Sequence, residues 1–98
     1  MKVVWTATAV ARLEAIEELI AEDDPAAAER FVGKLLDLGE GLGDSPQRGR
    51  VVPELPGSGL REVIHRGYRI VYRATAKRVE ILTVFEGHRL LRKDELDD

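Results

Sequence analysis

The chain has 98 residues, of which 44% are hydrophobic and 34% charged, with a net charge of −3 and no cysteine. That size holds one domain, and that composition belongs to a folded chain rather than a disordered one. The absence of cysteine excludes a disulfide framework, no apolar run reaches the roughly 20 residues of a membrane span, and an acidic total argues against a free-standing nucleic-acid binder.

Met1-Lys2-Val3-Val4-Trp5 opens directly as a short β-branched and aromatic strand. It lacks the apolar stretch of a signal peptide, so the chain is expected to stay in the cytoplasm. Thr6 or Thr8 offers an N-cap hydroxyl. Val10, Leu13, Ile16 and Ile20 then recur at helical spacing, which predicts an amphipathic helix over about 8–22. Asp23-Asp24-Pro25 starts a second helix, with Asp24 as N-cap and Pro25 at its first position. Phe31, Leu35, Leu38 and Leu42 form its apolar stripe. Gly39, Gly41 and Gly43 each weaken a helix by up to ~1 kcal/mol, so this one is expected to hold to about 38 and fray by 43. Two helices joined by so short a turn form an antiparallel hairpin, about 8–43.

Residues 44–59, rich in proline and glycine, read as a connector with a short extended piece at Arg50-Val51-Val52. Three strand-like runs follow, Leu60–His65, Tyr68–Ala74 and Arg78–Glu86, with turns at Gly67 and Thr75-Ala76-Lys77. This order implies an antiparallel meander over 60–86, followed by a short charged tail over 87–98. Alternation puts Tyr68, Ile70 and Tyr72 on one strand face and Arg69, Val71 and Arg73 on the other. The expected fold is α+β: an N-terminal strand and a two-helix hairpin packed on an antiparallel sheet that the meander completes.

Charge is unevenly spread. Residues 1–44 hold ten acidic and four basic side chains, whereas 45–73 hold six arginines and two glutamates. Arginine presents a planar fork suited to carboxylate or phosphate, so this middle third is where an anionic partner would bind. The plainer alternative is a solvated sheet face whose arginines pair with Glu62, Glu80 and Glu86, each surface pair worth only ~0–1 kcal/mol. His65 reads as a strand residue beside a turn. With two histidines and no cysteine there is little to hold a metal. Gly57-Ser58-Gly59 lacks the pattern of a phosphate-binding loop.

Several stretches together carry a family likeness: Val4-Trp5-Thr6, Ala27-Ala28-Glu29-Arg30-Phe31, the run Pro46–Glu54, Leu60-Arg61-Glu62, Tyr68-Arg69-Ile70-Val71-Tyr72-Arg73, and the run Val79–Arg89. In this order and spacing the chain resembles the RelE/ParE toxin superfamily, its ParE-like branch more than its RelE-like one. The resemblance implies a plasmid-stabilization type of toxin from a type II toxin–antitoxin module, neutralised by direct binding of its cognate antitoxin and needing no cofactor. Operator DNA would be met only through the antitoxin. ParE-like members poison DNA gyrase, and RelE-like members cleave messenger RNA on the ribosome.

Metal-independent RNA cleavage needs a base, an acid and cations around the phosphate. Arg61, Arg69 and Arg73 would supply the cations and His88 the titrating group, since histidine ionises near ~6.5. The RNA-cleaving branch usually adds a tyrosine or second histidine near the C-terminus, and this chain has neither after His88. Acidic helices also favour a protein target. The leading expectation is therefore gyrase inhibition without catalysis, with Arg61, Arg69, Arg73 and Arg89 contacting antitoxin or target. The alternatives are a ribosome-dependent endoribonuclease and a non-toxic remnant that only binds antitoxin.

Overall fold

The computed structural model describes residues 1–87. His88, Arg89 and the tail beyond them lie outside the described residues. Strand β1 (Lys2–Trp5) leads into helices α1 (Ala7–Ala21) and α2 (Pro25–Gly41). The short strand β2 (Arg50–Val51) precedes the meander β3 (Arg61–His65), β4 (Tyr68–Ala74) and β5 (Arg78–Glu86). The five strands form one sheet in the order β1-β5-β4-β3-β2. It is antiparallel throughout the meander and at β2, and the exception is β1, which runs parallel to β5 with Val3 beside Val79 and Trp5 beside Ile81. A whole helix hairpin separates β1 from the meander, and a crossover of that length is what permits parallel pairing.

Thr6 ties these parts together. Its backbone N–H donates to the Ile81 carbonyl oxygen at 3.0 Å, and its hydroxyl donates to the Leu82 carbonyl oxygen at 2.9 Å. The same hydroxyl accepts from the Ala9 N–H at 3.1 Å, so one side chain caps α1 and anchors it to β5. Asp24 caps α2 in the same way, accepting from Ala27 N–H, with Pro25 at the first position.

Helix α2 ends at Gly41, between the 38 to which it is expected to hold and the 43 by which it is expected to fray. Trp5 packs close against Gly39: a Cβ there would fall 2.3 Å from Trp5 Cζ2 and 2.8 Å from Ile81 Cδ1. Trp5 Nε1 also donates to Glu40 Oε1 at 3.0 Å. Seating an indole against the helix offsets the ~1 kcal/mol glycine penalty that sequence alone assigns.

The hairpin covers one face of the sheet, where Leu13, Leu35, Ile70, Tyr72, Ile81 and Val84 build the main core. The opposite face carries a second core of Val52, Leu60, Val71, Leu82 and Phe85, because the connector folds back over it. A bulge in β5 makes both possible. Val71 opposes Thr83 and Tyr72 opposes Ile81, which leaves Leu82 as the extra residue. The bulge reverses parity, so Ile81 and Val84 both enter the main core while Leu82 and Phe85 both enter the second. None of the described helices is long and apolar enough to cross a membrane.

Candidate functional site

Residues paired across neighbouring strands point to the same side of a sheet. Arg69 pairs with Ile64 and Phe85, Arg73 with Glu80, and Arg61 with Tyr72. Arg69 and Arg73 thus share the face turned away from the helices, as alternation predicts. Arg61 goes with Tyr72 to the other face, where its guanidinium donates to the Gly49 carbonyl oxygen at 2.7 Å. The three arginines do not converge on one concave surface.

Arg69 is interior, with 5% exposure. Its Nη1 and Nη2 each donate to one oxygen of Glu54 at 2.6 Å, a bidentate fork, and its Nε donates to Glu62 Oε1 at 2.6 Å. The guanidinium carbon lies 5.0 Å from the centre of the Phe85 ring. The hydrogen bonds to Glu54, and secondly to Glu62, hold the Arg69 pKa above its ordinary value despite burial. The Glu62 side chain is fully enclosed, and its second oxygen accepts from Arg50 Nε at 2.7 Å. With its fork closed on Glu54, Arg69 reaches an outside phosphate only if that carboxylate leaves.

Arg73 is different. Its side chain is 52% exposed, and its Nε donates to Glu80 Oε1 at 2.7 Å. Arg78 Nε donates to the other oxygen of Glu80 at 2.8 Å. These two cations, Arg73 first, hold the Glu80 carboxyl below the ordinary carboxylate range. The trio carries a net positive charge, and the outer edge of Arg73 remains open to an anionic partner.

His65, the one histidine among the described residues, lies on the helix side, its ring centre 5.7 Å from that of Phe31. Tyr72 is fully buried; its hydroxyl donates to the Pro46 carbonyl oxygen at 2.9 Å and accepts from the Gly49 N–H at 2.8 Å, which pins the connector to the sheet. The residue that sequence reasoning passed over is Glu54. A signal was present: the basic middle third holds two glutamates, Glu54 and Glu62, and both close on Arg69.

Comparison with known proteins places this geometry. A family model described as ParE toxin of type II toxin-antitoxin system, parDE, matches residues 3–91. The Sinorhizobium fredii protein Y4kP is 38% identical over 88 residues, covering 86% of this chain and 85% of that protein. Toxin RelE2 of Caulobacter vibrioides is 36% identical over 90 residues, covering 91% of this chain and 98% of that one. In fold, the chain is similar to a chain of the chromosomal ParDE system from P. aeruginosa, with a TM-score of 0.74, 24% identity, and coverage of 88% of this chain and 95% of that one. It is also similar to a chain of the toxin–antitoxin complex RelBE2 from Mycobacterium tuberculosis, with a TM-score of 0.63, 24% identity, and coverage of 87% and 95%.

Proposed function

Since the chain belongs to the ParE toxin family of type II toxin–antitoxin systems, we propose that it acts in the cytoplasm by inhibiting DNA gyrase through protein–protein contact, and that its cognate antitoxin neutralises it by direct binding. No side chain of its own performs catalysis on this reading. The observation that carries it is the closure of Arg69 on Glu54 and Glu62, with Arg61 turned to the opposite face. A nuclease built on these arginines would need them open and convergent around one phosphate. Contact with a protein needs only the exposed fork of Arg73, which shares Glu80 with Arg78.

The likeness to RelE2 favours one second reading, the RelE-like cleavage of messenger RNA on the ribosome. Pulse-labelling of DNA, RNA and protein synthesis after inducing the chain without antitoxin separates the two. An early fall in DNA synthesis, with filamentous cells, supports the gyrase reading. An early fall in protein synthesis with cut messenger RNA overturns it. Unaffected synthesis and normal growth would leave a chain that binds antitoxin without being toxic.

A further inference from the structure

On the helix side of the sheet, away from Arg69 and Arg73, an open cleft of about 530 Å³ lies between α2 and the turn joining β3 to β4. That volume is within the ~300–1,000 Å³ usual for small-molecule sites. Its lining divides by exposure. Ile20, Ala27, Phe31 and His65 are half-buried and form the floor, whereas Arg30, Lys34 and Arg66 are exposed and form the rim. Two neighbouring rings hold Phe31 in place, Tyr68 edge-on at 5.2 Å between centres and His65 at 5.7 Å.

The rim cations differ from the arginines of the strands. Arg50, Arg61, Arg69, Arg73 and Arg78 each donate to an acceptor within the fold. Arg30, Lys34 and Arg66 form no ion pair or hydrogen bond with any side-chain acceptor among the described residues. Arg30 and Lys34 stand four residues apart, so they share one face of α2. Arg66 comes from a separate element, and an anion in the cleft is met from two sides. Arg66 has φ +48 and Gly67 φ +82, the two left-handed positions of the hairpin turn that closes on the His65–Tyr68 pair. Asparagine or glycine suits the first of them, and an arginine there keeps a cation at the rim at the expense of backbone strain.

We propose that this cleft is a binding site for a mononucleotide carrying two or more phosphates, its phosphate chain between Arg30, Lys34 and Arg66 and its base against Phe31. A guanidinium fork matches two phosphate oxygens at once, and lysine adds a mobile point charge. An aromatic ring on the floor gives the base a stacking surface. Inorganic phosphate would use the rim alone and leave the apolar floor without a partner. A nucleic acid strand fits less well. Glu22, Asp23 and Asp24, all exposed, lie between the helices beside Ile20 and Ala27 of the cleft. A phosphate backbone continuing on that side would meet them, whereas a single nucleotide ends before it does.

The test is calorimetric titration of the full chain at low salt with ADP and GDP, beside pyrophosphate and adenosine as the two halves of such a ligand. At least one of the two nucleotides should bind ~10-fold more tightly than pyrophosphate or its own nucleoside half. R30E/K34E should weaken that binding ~10-fold or more, because attraction at the rim becomes repulsion. Arg66→Asn should also weaken it, yet melt no lower than wild type, because asparagine tolerates the left-handed turn. Phe31→Leu keeps the floor apolar but removes the ring, and it should bring the nucleotide down to the affinity of pyrophosphate. Pyrophosphate binding as tightly as both nucleotides would overturn the proposal, as would nucleotide affinities unchanged in R30E/K34E and Arg66→Asn. So would a single-stranded thymidine oligonucleotide binding more tightly than either nucleotide and losing that affinity in the same variants. Toxicity plays no part in these readouts, so a chain that binds a nucleotide but harms no cell keeps the cleft and loses only the toxin reading.

Discussion

Glu62 accepts from Arg69 Nε at 2.6 Å at a position where its own side chain has no exposure. Removing one partner from a buried ion pair leaves an uncompensated charge, which destabilises by ~3–5 kcal/mol. Arg69→Met leaves Glu62 only its bond to the largely exposed Arg50, so it should lower stability by up to that amount, read from the urea midpoint of the full chain. Arg73→Ala, which breaks a half-exposed pair with Glu80, should cost only ~0–1 kcal/mol. Equal losses for the two would contradict the assignment of Arg69 as an interior strut.

Two glycines of α2 should respond to alanine with opposite signs. Gly33 has nothing within 4 Å of an added Cβ, so Gly33→Ala should stabilise by ~0.5–1 kcal/mol through helix propensity. At Gly39 the added Cβ meets Trp5 at 2.3 and 2.6 Å and Ile81 at 2.8 Å. Because Ile81 is fully buried and the half-buried Trp5 is held by its bond to Glu40, Gly39→Ala should destabilise by ~1–3 kcal/mol. Thermal denaturation of the two variants beside wild type decides it, and a stabilised Gly39→Ala would refute the packing of Trp5 against Gly39.

That glycine also shows where sequence reasoning stops. Helix spacing, the Asp24-Pro25 start and the turns at Gly67 and Thr75–Lys77 are local signals, and they located the helices and the meander strands among the described residues within a few positions. Alternation on β4 likewise separated Ile70 and Tyr72 from Arg69, and the helices cover the Ile70 and Tyr72 face. Yet alternation assumes that the far face is solvated. It is not, because Val52, Leu55 and Leu60 of the connector fold over it and bring Glu54 to Arg69. The parity reversal at Leu82 and the parallel pairing of β1 with β5 depend on contacts between distant segments, which no local pattern records.

Acid sensitivity should trace in part to Glu80. Arg73, then Arg78, lowers its folded-state pKa below the ordinary 4.5. A group shifted this way contributes stability in full above its unfolded-state pKa, and the contribution disappears as pH falls through the lower folded-state value. Stability measured from neutral pH downward should therefore decline less steeply below about pH 4.5 in Glu80→Gln than in wild type. An unchanged acid limb would remove Glu80 from the account.

The exposed fork of Arg73 separates the two mechanisms by the size of its effect. As a surface contact to a protein target, it adds ~1 kcal/mol, so Arg73→Ala should weaken inhibition of gyrase supercoiling by the purified chain only several-fold. Arg73→Lys, which keeps the charge but lacks the planar fork, should fall between alanine and wild type. Were Arg73 instead stabilising charge on a scissile phosphate, its loss would cut the rate by ~10²–10³, and the defect would appear in messenger RNA cleavage while gyrase supercoiling stayed untouched by any variant. Graded loss of gyrase inhibition across arginine, lysine and alanine is thus the expected series, because a rim contact weakens by degrees whereas a missing transition-state donor does not.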